Sequence, residues 1–86
     1  MKNIIVTVTD RQKRFMFDME VPTDMVGKQL AVNVMEVLNE CDLDLRFDAE
    51  YHCFYLNRQG CVLSDKDTLA SAGVWNGDYI TVISRM

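Results

Sequence analysis

Eighty-six residues allow one domain, residues 1–86, and leave no room for a second. With 49% hydrophobic and 26% charged residues and no low-complexity tract, the composition is that of a folded globular protein and excludes extensive disorder. The formal net charge of −4 argues against a nucleic-acid partner, which requires a dense basic footprint to displace counterions from phosphates.

A chain this short buries a modest share of its surface, so nearly every patterned apolar residue is needed for the core. The first residues run directly into an alternating pattern with no charged-then-apolar leader, and no apolar run approaches the roughly 20 residues that cross a bilayer. A cytoplasmic protein without direct membrane insertion is therefore expected. Three cysteines, Cys41, Cys53 and Cys61, cannot all pair within one chain, which fits a reducing compartment.

Ile4, Val6 and Val8 alternate with Ile5, Thr7 and Thr9, the period of two that makes a strand. Both sets are apolar or β-branched, which places this strand inside the sheet. Asp10 to Lys13 reads as a turn, and Arg11, Lys13 and Arg14 form its solvated basic tip. Phe15, Phe17, Met19 and Val21 resume the alternation, and Pro22, lacking an N–H for the ladder, ends the hairpin.

Thr23 or Asp24 is the expected N-cap of a helix from Met25 to about Asn39. Val26, Leu30, Val34, Val37 and Leu38 form its apolar stripe, with Gly27 beside them where a close approach is needed. Val32, Met25 and Met35 are expected on the opposite face among Lys28, Gln29 and Glu36. Residues 40–50 are acidic and irregular, and Leu43, Leu45 and Phe47 within them suggest a short edge strand or an anchored loop.

Tyr51 to Leu56 is the third strand, with Phe54 and Leu56 toward the core and Cys53 and Tyr55 on the outer side. Residues 57–60 turn the chain into a short strand, Cys61 to Leu63. A helical turn over Thr68 to Ala72 follows, with Leu69 inward and Val74 beneath it. Asn76-Gly77-Asp78 is a strong turn signal. It opens the last strand, in which Ile80 and Val82 face the core and Tyr79, Thr81 and Ile83 face out.

This order over the whole chain resembles the ubiquitin-like, or β-grasp, fold. It is an α+β architecture with a mixed sheet of four to five strands, one main helix across it, and a helical turn before the last strand. The right-handed crossover rule makes the first and last strands parallel neighbours. The most specific part is Thr68-Leu69, Gly73-Val74 and Gly77 to Val82. Within the superfamily, the short length and the Gly-Val-x-Asn-Gly-Asp close resemble the YukD/EsaB family of Gram-positive type VII secretion systems. That resemblance implies a bacterial, cytosolic accessory or regulatory component. Its implied partner is another protein of the secretion machinery, with the cytosolic portion of a membrane subunit the foremost candidate.

The chain ends Ile83-Ser84-Arg85-Met86 without the Gly-Gly of ubiquitin and the sulfur carriers, so conjugation is not expected. The alternatives are a modifier or sulfur carrier lacking its glycine tail, or an excised ubiquitin-like domain of a larger protein. No enzyme, cofactor or metal site is expected. The single histidine, His52, lacks the partners of a catalytic triad or a zinc site, and the glycines do not form a phosphate loop. The spacing of the acidic residues after the helix does not fit an EF-hand. A Cys53–Cys61 disulfide on the predicted hairpin stays open.

In ubiquitin the outer sheet face carries an apolar patch, and the matching positions here are Tyr55, Ile83 and Thr81, with Cys53 beside them. Together with Trp75 they are the expected protein-binding residues, because aromatic side chains supply much of the energy at interfaces. The opposing reading is that Tyr55 and Ile83 only shield the sheet. For Trp75, half-burial under the acidic loop and an exposed anchor are both open.

Overall fold

The computed structural model describes residues 2–40 and 48–85. In chain order the elements are β1 (Asn3–Asp10), β2 (Met16–Pro22), α1 (Gly27–Glu40), β3 (His52–Leu56), β4 (Cys61–Val62) and β5 (Tyr79–Ser84). The expected edge strand or loop around Leu43, Leu45 and Phe47 lies outside the described residues, as does Cys41.

The strands form one sheet in the order β2-β1-β5-β3-β4. β1 and β5 run parallel at its centre, with Val8 beside Ile80, and the other pairs are antiparallel. The fold is thus the α+β grasp expected from the element order. The alternation along each strand sends Ile4, Val6, Val8, Val21, Phe54, Leu56, Ile80 and Val82 to one face, where they are buried. Helix α1 covers that face with Leu30, Ala31, Val34, Met35 and Leu38. Leu69 and Val74 close the core from the segment before β5.

Met35 is buried at 4% exposure, contrary to its expected place on the solvent face, whereas Val37 is only partly buried. The stripe is centred on Val34 and Leu38 and widens toward Met35. At 100° per residue the two flanks are nearly symmetric about that centre, so only the tilt against the sheet decides between them.

The helix also starts later than expected. Neither Thr23 nor Asp24 caps it. Val26 is held in a bridge to Thr68, and the first orphan N–H groups are taken by distant backbone. Gly27 N–H donates to the Asp67 carbonyl at 2.9 Å and Lys28 N–H to the Asp65 carbonyl at 3.2 Å. This approach brings the Gly27 backbone so close that a Cβ there would lie 2.4 Å from the Ser64 carbonyl oxygen.

The helical turn after β4 is capped at both ends. Thr68 Oγ1 accepts from Ser71 N–H at 3.0 Å. At the other end Gly73, at φ +77°, allows Gly73 N–H to reach the Ala70 carbonyl and Val74 N–H the Leu69 carbonyl. That is a Schellman closure, with buried Leu69 and Val74 as its apolar pair.

Cys53 and Cys61 are both free. Cys61 stands opposite Leu56 and so shares its face, while Cys53 stands opposite Ile83 on the other. Their Cβ vectors diverge, which rules out the disulfide left open above.

Candidate protein-interaction face

The uncovered face of the sheet carries the side chains that alternate with the core set. Across it run Met16 of β2, Ile5 of β1, Tyr79 and Ile83 of β5, Tyr55 of β3 and Val62 of β4, as the strand registers require. Ile5, Met16, Val62 and Tyr79 are each about half exposed, at 46%, 54%, 52% and 49%. Their spread over strands β2, β1, β4 and β5 gives this face a larger apolar content than the expected patch alone.

The structure brings four of the five expected residues together. Tyr55 stands directly opposite Thr81, and Cys53 opposite Ile83. Tyr55 and Ile83 are partly buried and retain accessible surface. The Tyr55 hydroxyl reaches over Gly60, 3.7 Å from where a Cβ would stand there. Thr81 and Cys53 sit deeper, at 8% and 7% exposure. Thr81 Oγ1 donates to Asn57 Oδ1 at 2.7 Å, so its polar atom is engaged within the protein. Both residues therefore underlie the face and offer a partner little contact area.

Trp75 stands apart, in the segment leading to β5, and is 63% exposed. It is also held by several contacts. The Arg58 guanidinium lies over its ring, 3.8 Å from the centroid. Arg58 in turn donates from Nε to Asp78 Oδ1 at 3.0 Å and from Nη2 to the Gly73 carbonyl. Asp78 Oδ2 accepts the Trp75 N–H at 2.8 Å, and Gln59 Nε2 donates to the Gly73 carbonyl at 2.6 Å. The β3–β4 turn and the turn before β5 are thereby locked together beneath an exposed indole. Of this clamp, the sequence marks Trp75 as a candidate anchor and Asp78 as part of a turn, with no sign that Arg58 joins them.

Asn76 has a structural task in the same turn. Its Oδ1 accepts from Ile5 N–H at 2.8 Å, and Gly77 N–H donates to the Ile5 carbonyl at 2.7 Å. The side chain thus supplies the carbonyl that the parallel β1–β5 ladder lacks before β5 begins. This is the physical reason for Asn-Gly-Asp at the entry to that strand.

Partial burial pushes the Asp78 carboxyl up. The hydrogen bonds from Arg58 and the Trp75 amide, the guanidinium charge and a bond from Gln59 outweigh that effect, and the group is held below the usual carboxylate range. A depressed carboxylate contributes stability that is complete above its unfolded value and is lost as pH falls through the folded one. We therefore expect the clamp to hold until the pH falls below about 4 and to loosen as Asp78 takes up its proton. Trp75 fluorescence should change in that range, and Asp78→Asn should abolish the transition. An unchanged transition in Asp78→Asn would show that Asp78 does not govern it.

The chemistry available elsewhere is limited. Burial pushes the Cys53 thiol up, with Arg85 opposing and Asp65 adding to the shift, so Cys53 is protonated at neutral pH and unsuited to nucleophilic work. No group of three or more metal-ligating side chains occurs among the described residues. None of their helices is long and apolar enough to cross a membrane.

This geometry, a sheet grasping one helix with a patterned outer face, defines a ubiquitin-like protein, and solved structures agree. Ubiquitin of Caldiarchaeum subterraneum superposes with a TM-score of 0.78 at 17% identity, covering 99% of this chain and 96% of that one. A ubiquitin-like domain of an Arabidopsis thaliana protein gives 0.78 at 21% identity, over 100% and 81% of the two chains. The ubiquitin-like domain of Plasmodium falciparum Dsk2 gives 0.71 at 19%, over 98% and 100%. No curated protein matches the sequence. The sequence model of the family described as "WXG100 protein secretion system (Wss), protein YukD" matches residues 3–82, and the chain belongs to that family.

Proposed function

We propose that this protein is a cytoplasmic, non-conjugated ubiquitin-like binding module that serves a bacterial type VII (WXG100) secretion system as an accessory or regulatory component. Its partner is a protein of that machinery, foremost the cytosolic portion of a membrane subunit. The protein acts by binding and not as an enzyme. The observation that carries this reading is the family match over residues 3–82, joined to a sheet face with accessible Tyr55 and Ile83.

The contact residues are Tyr55 and Ile83, with Trp75 as a second anchor and Thr81 and Cys53 as the support beneath them. A large aromatic group held in place before binding loses little entropy on association, which favours Trp75 and Tyr55 as energetic centres.

The test is capture of partners from native lysate by the wild-type protein and by Tyr55→Ala, identified by mass spectrometry. We expect a secretion-machinery subunit in the first and its loss in the second, with the melting temperature nearly unchanged. If Tyr55→Ala unfolds the domain, Tyr55 is a structural shield and the site assignment fails. Recovery of an adenylating enzyme would instead favour a modifier or sulfur carrier.

A further inference from the structure

We propose that the outer edge of β2 is a docking site for an extended polypeptide segment in which apolar residues alternate with lysine or arginine. The inference rests on the reading of the chain as a protein-binding module, but on different residues from the Tyr55 patch.

β2 is the terminal strand of the described sheet, so one of its edges has no neighbour among the described residues. The hydrogen-bond register says which residues line that edge. Thr7 N–H donates to the Asp78 carbonyl at 2.9 Å, so the odd residues of β1 turn their backbone groups toward β5. The even ones, Ile4, Val6 and Val8, therefore bond their partners Val21, Met19 and Phe17. Thr23 N–H donating to the Lys2 carbonyl at 2.9 Å continues the same register. The N–H and C=O groups of Met16, Asp18 and Glu20 consequently point away from the sheet, with no partner among the described residues.

The two side-chain rows along this edge differ in chemistry. On the outer face stand Met16, Asp18 and Glu20, all exposed. Both carboxylates are anchored by β1. Asp18 Oδ1 accepts from Thr7 Oγ1 at 2.7 Å, and Glu20 Oε2 from Asn3 Nδ2 at 3.0 Å. No cation among the described residues pairs with either. On the helix face stand Phe15, Phe17 and Met19, packed against the core yet only partly buried. The Phe15 and Phe17 rings lie 6.0 Å apart.

An added strand would satisfy the backbone groups of Met16, Asp18 and Glu20. Its basic residues would stand opposite Asp18 and Glu20, and the alternate residues would cover Phe17 and Met19. A second copy of this chain is a poor occupant. Antiparallel pairing of two β2 edges brings like carboxylates together in a protein already at net charge −4. The acidic row thus rejects self-association while selecting a basic strand.

The experiment is titration of the isotope-labelled protein with the blocked peptide Val-Lys-Val-Lys-Val-Lys-Val, followed by amide hydrogen exchange. The peptide Val-Glu-Val-Glu-Val-Glu-Val serves as control. We expect the amides of Met16, Asp18 and Glu20 to gain at least about tenfold protection with the lysine peptide alone. The gain should shrink as salt rises from about 50 mM to about 500 mM, and should vanish in Asp18→Lys/Glu20→Lys. No protection at those amides, equal response to the glutamate peptide, or protection that depends on protein concentration without peptide would overturn the proposal. Failure here with partner capture intact removes the edge site and leaves the proposed function standing. Success here without capture has the opposite meaning.

Discussion

Leu30→Ala is expected to lower the unfolding free energy by about 2–5 kcal/mol. Leu30 is fully buried, at 0% exposure, on the face of α1 that lies across the sheet. Truncation removes most of an apolar side chain from contact and leaves a cavity that the surrounding strands can only partly close. A domain of this size has a total stability of roughly 5–15 kcal/mol, so the loss is a large fraction of the whole. Urea denaturation reads it directly as a lowered midpoint at unchanged slope. Val32, 36% exposed on the same helix, supplies the comparison, and Val32→Ala should shift stability by less than about 0.5 kcal/mol. Equal effects at the two positions would contradict the packing of α1 on the sheet.

The second large effect is expected at Gly27. On helix propensity alone Gly27→Ala would stabilise by about 1 kcal/mol. The structure predicts the opposite sign. The new Cβ would meet the Ser64 carbonyl at 2.4 Å, with the Leu63 side chain at 3.1 Å. Backbone cannot swing aside as a long side chain can. This stretch is also fixed, because the Asp65 and Asp67 carbonyls accept the N–H groups of Lys28 and Gly27. Moving Ser64 away therefore strips the helix of its capping partners. We expect a net loss of about 1–3 kcal/mol, measured by the same denaturation experiment. A stabilised Gly27→Ala would mean that the helix start does not lie against residues 63–67 as described.

Gly27 also illustrates what the sequence made legible. Its need for a close approach could be read from a lone glycine beside an apolar stripe. What it approaches could not, because the answer is a loop from a remote part of the chain. The strands were readable because a period of two in Ile4–Val8 or Tyr79–Ile83 reports the two faces of a sheet directly. Thr23 and Asp24 looked like caps because cap preference is a local rule, and backbone carbonyls of Asp65 and Asp67 displaced them from a distance.

The same division applies to the candidate interaction face. The alternation placed Tyr55, Ile83, Cys53 and Thr81 on the outer side, where the structure has them. Depth within that side depends on cross-strand neighbours and on Asn57 bonding Thr81, so the burial of Cys53 and Thr81 was not readable. Ile5 and Tyr79 carried the same parity signal as Ile83 and could have been included. The clamp on Trp75 was hidden because Arg58 and Asp78 meet only after β3 and β5 have paired.

The role in secretion is tested by the amount of WXG100 protein released into the medium by cells lacking this gene. Strains complemented with the wild-type chain or with Tyr55→Ala complete the comparison. A binding module of the secretion machinery predicts reduced release in the deletion, restoration by the wild type, and failure of Tyr55→Ala at equal intracellular level. Undiminished release in the deletion strain would contradict the account.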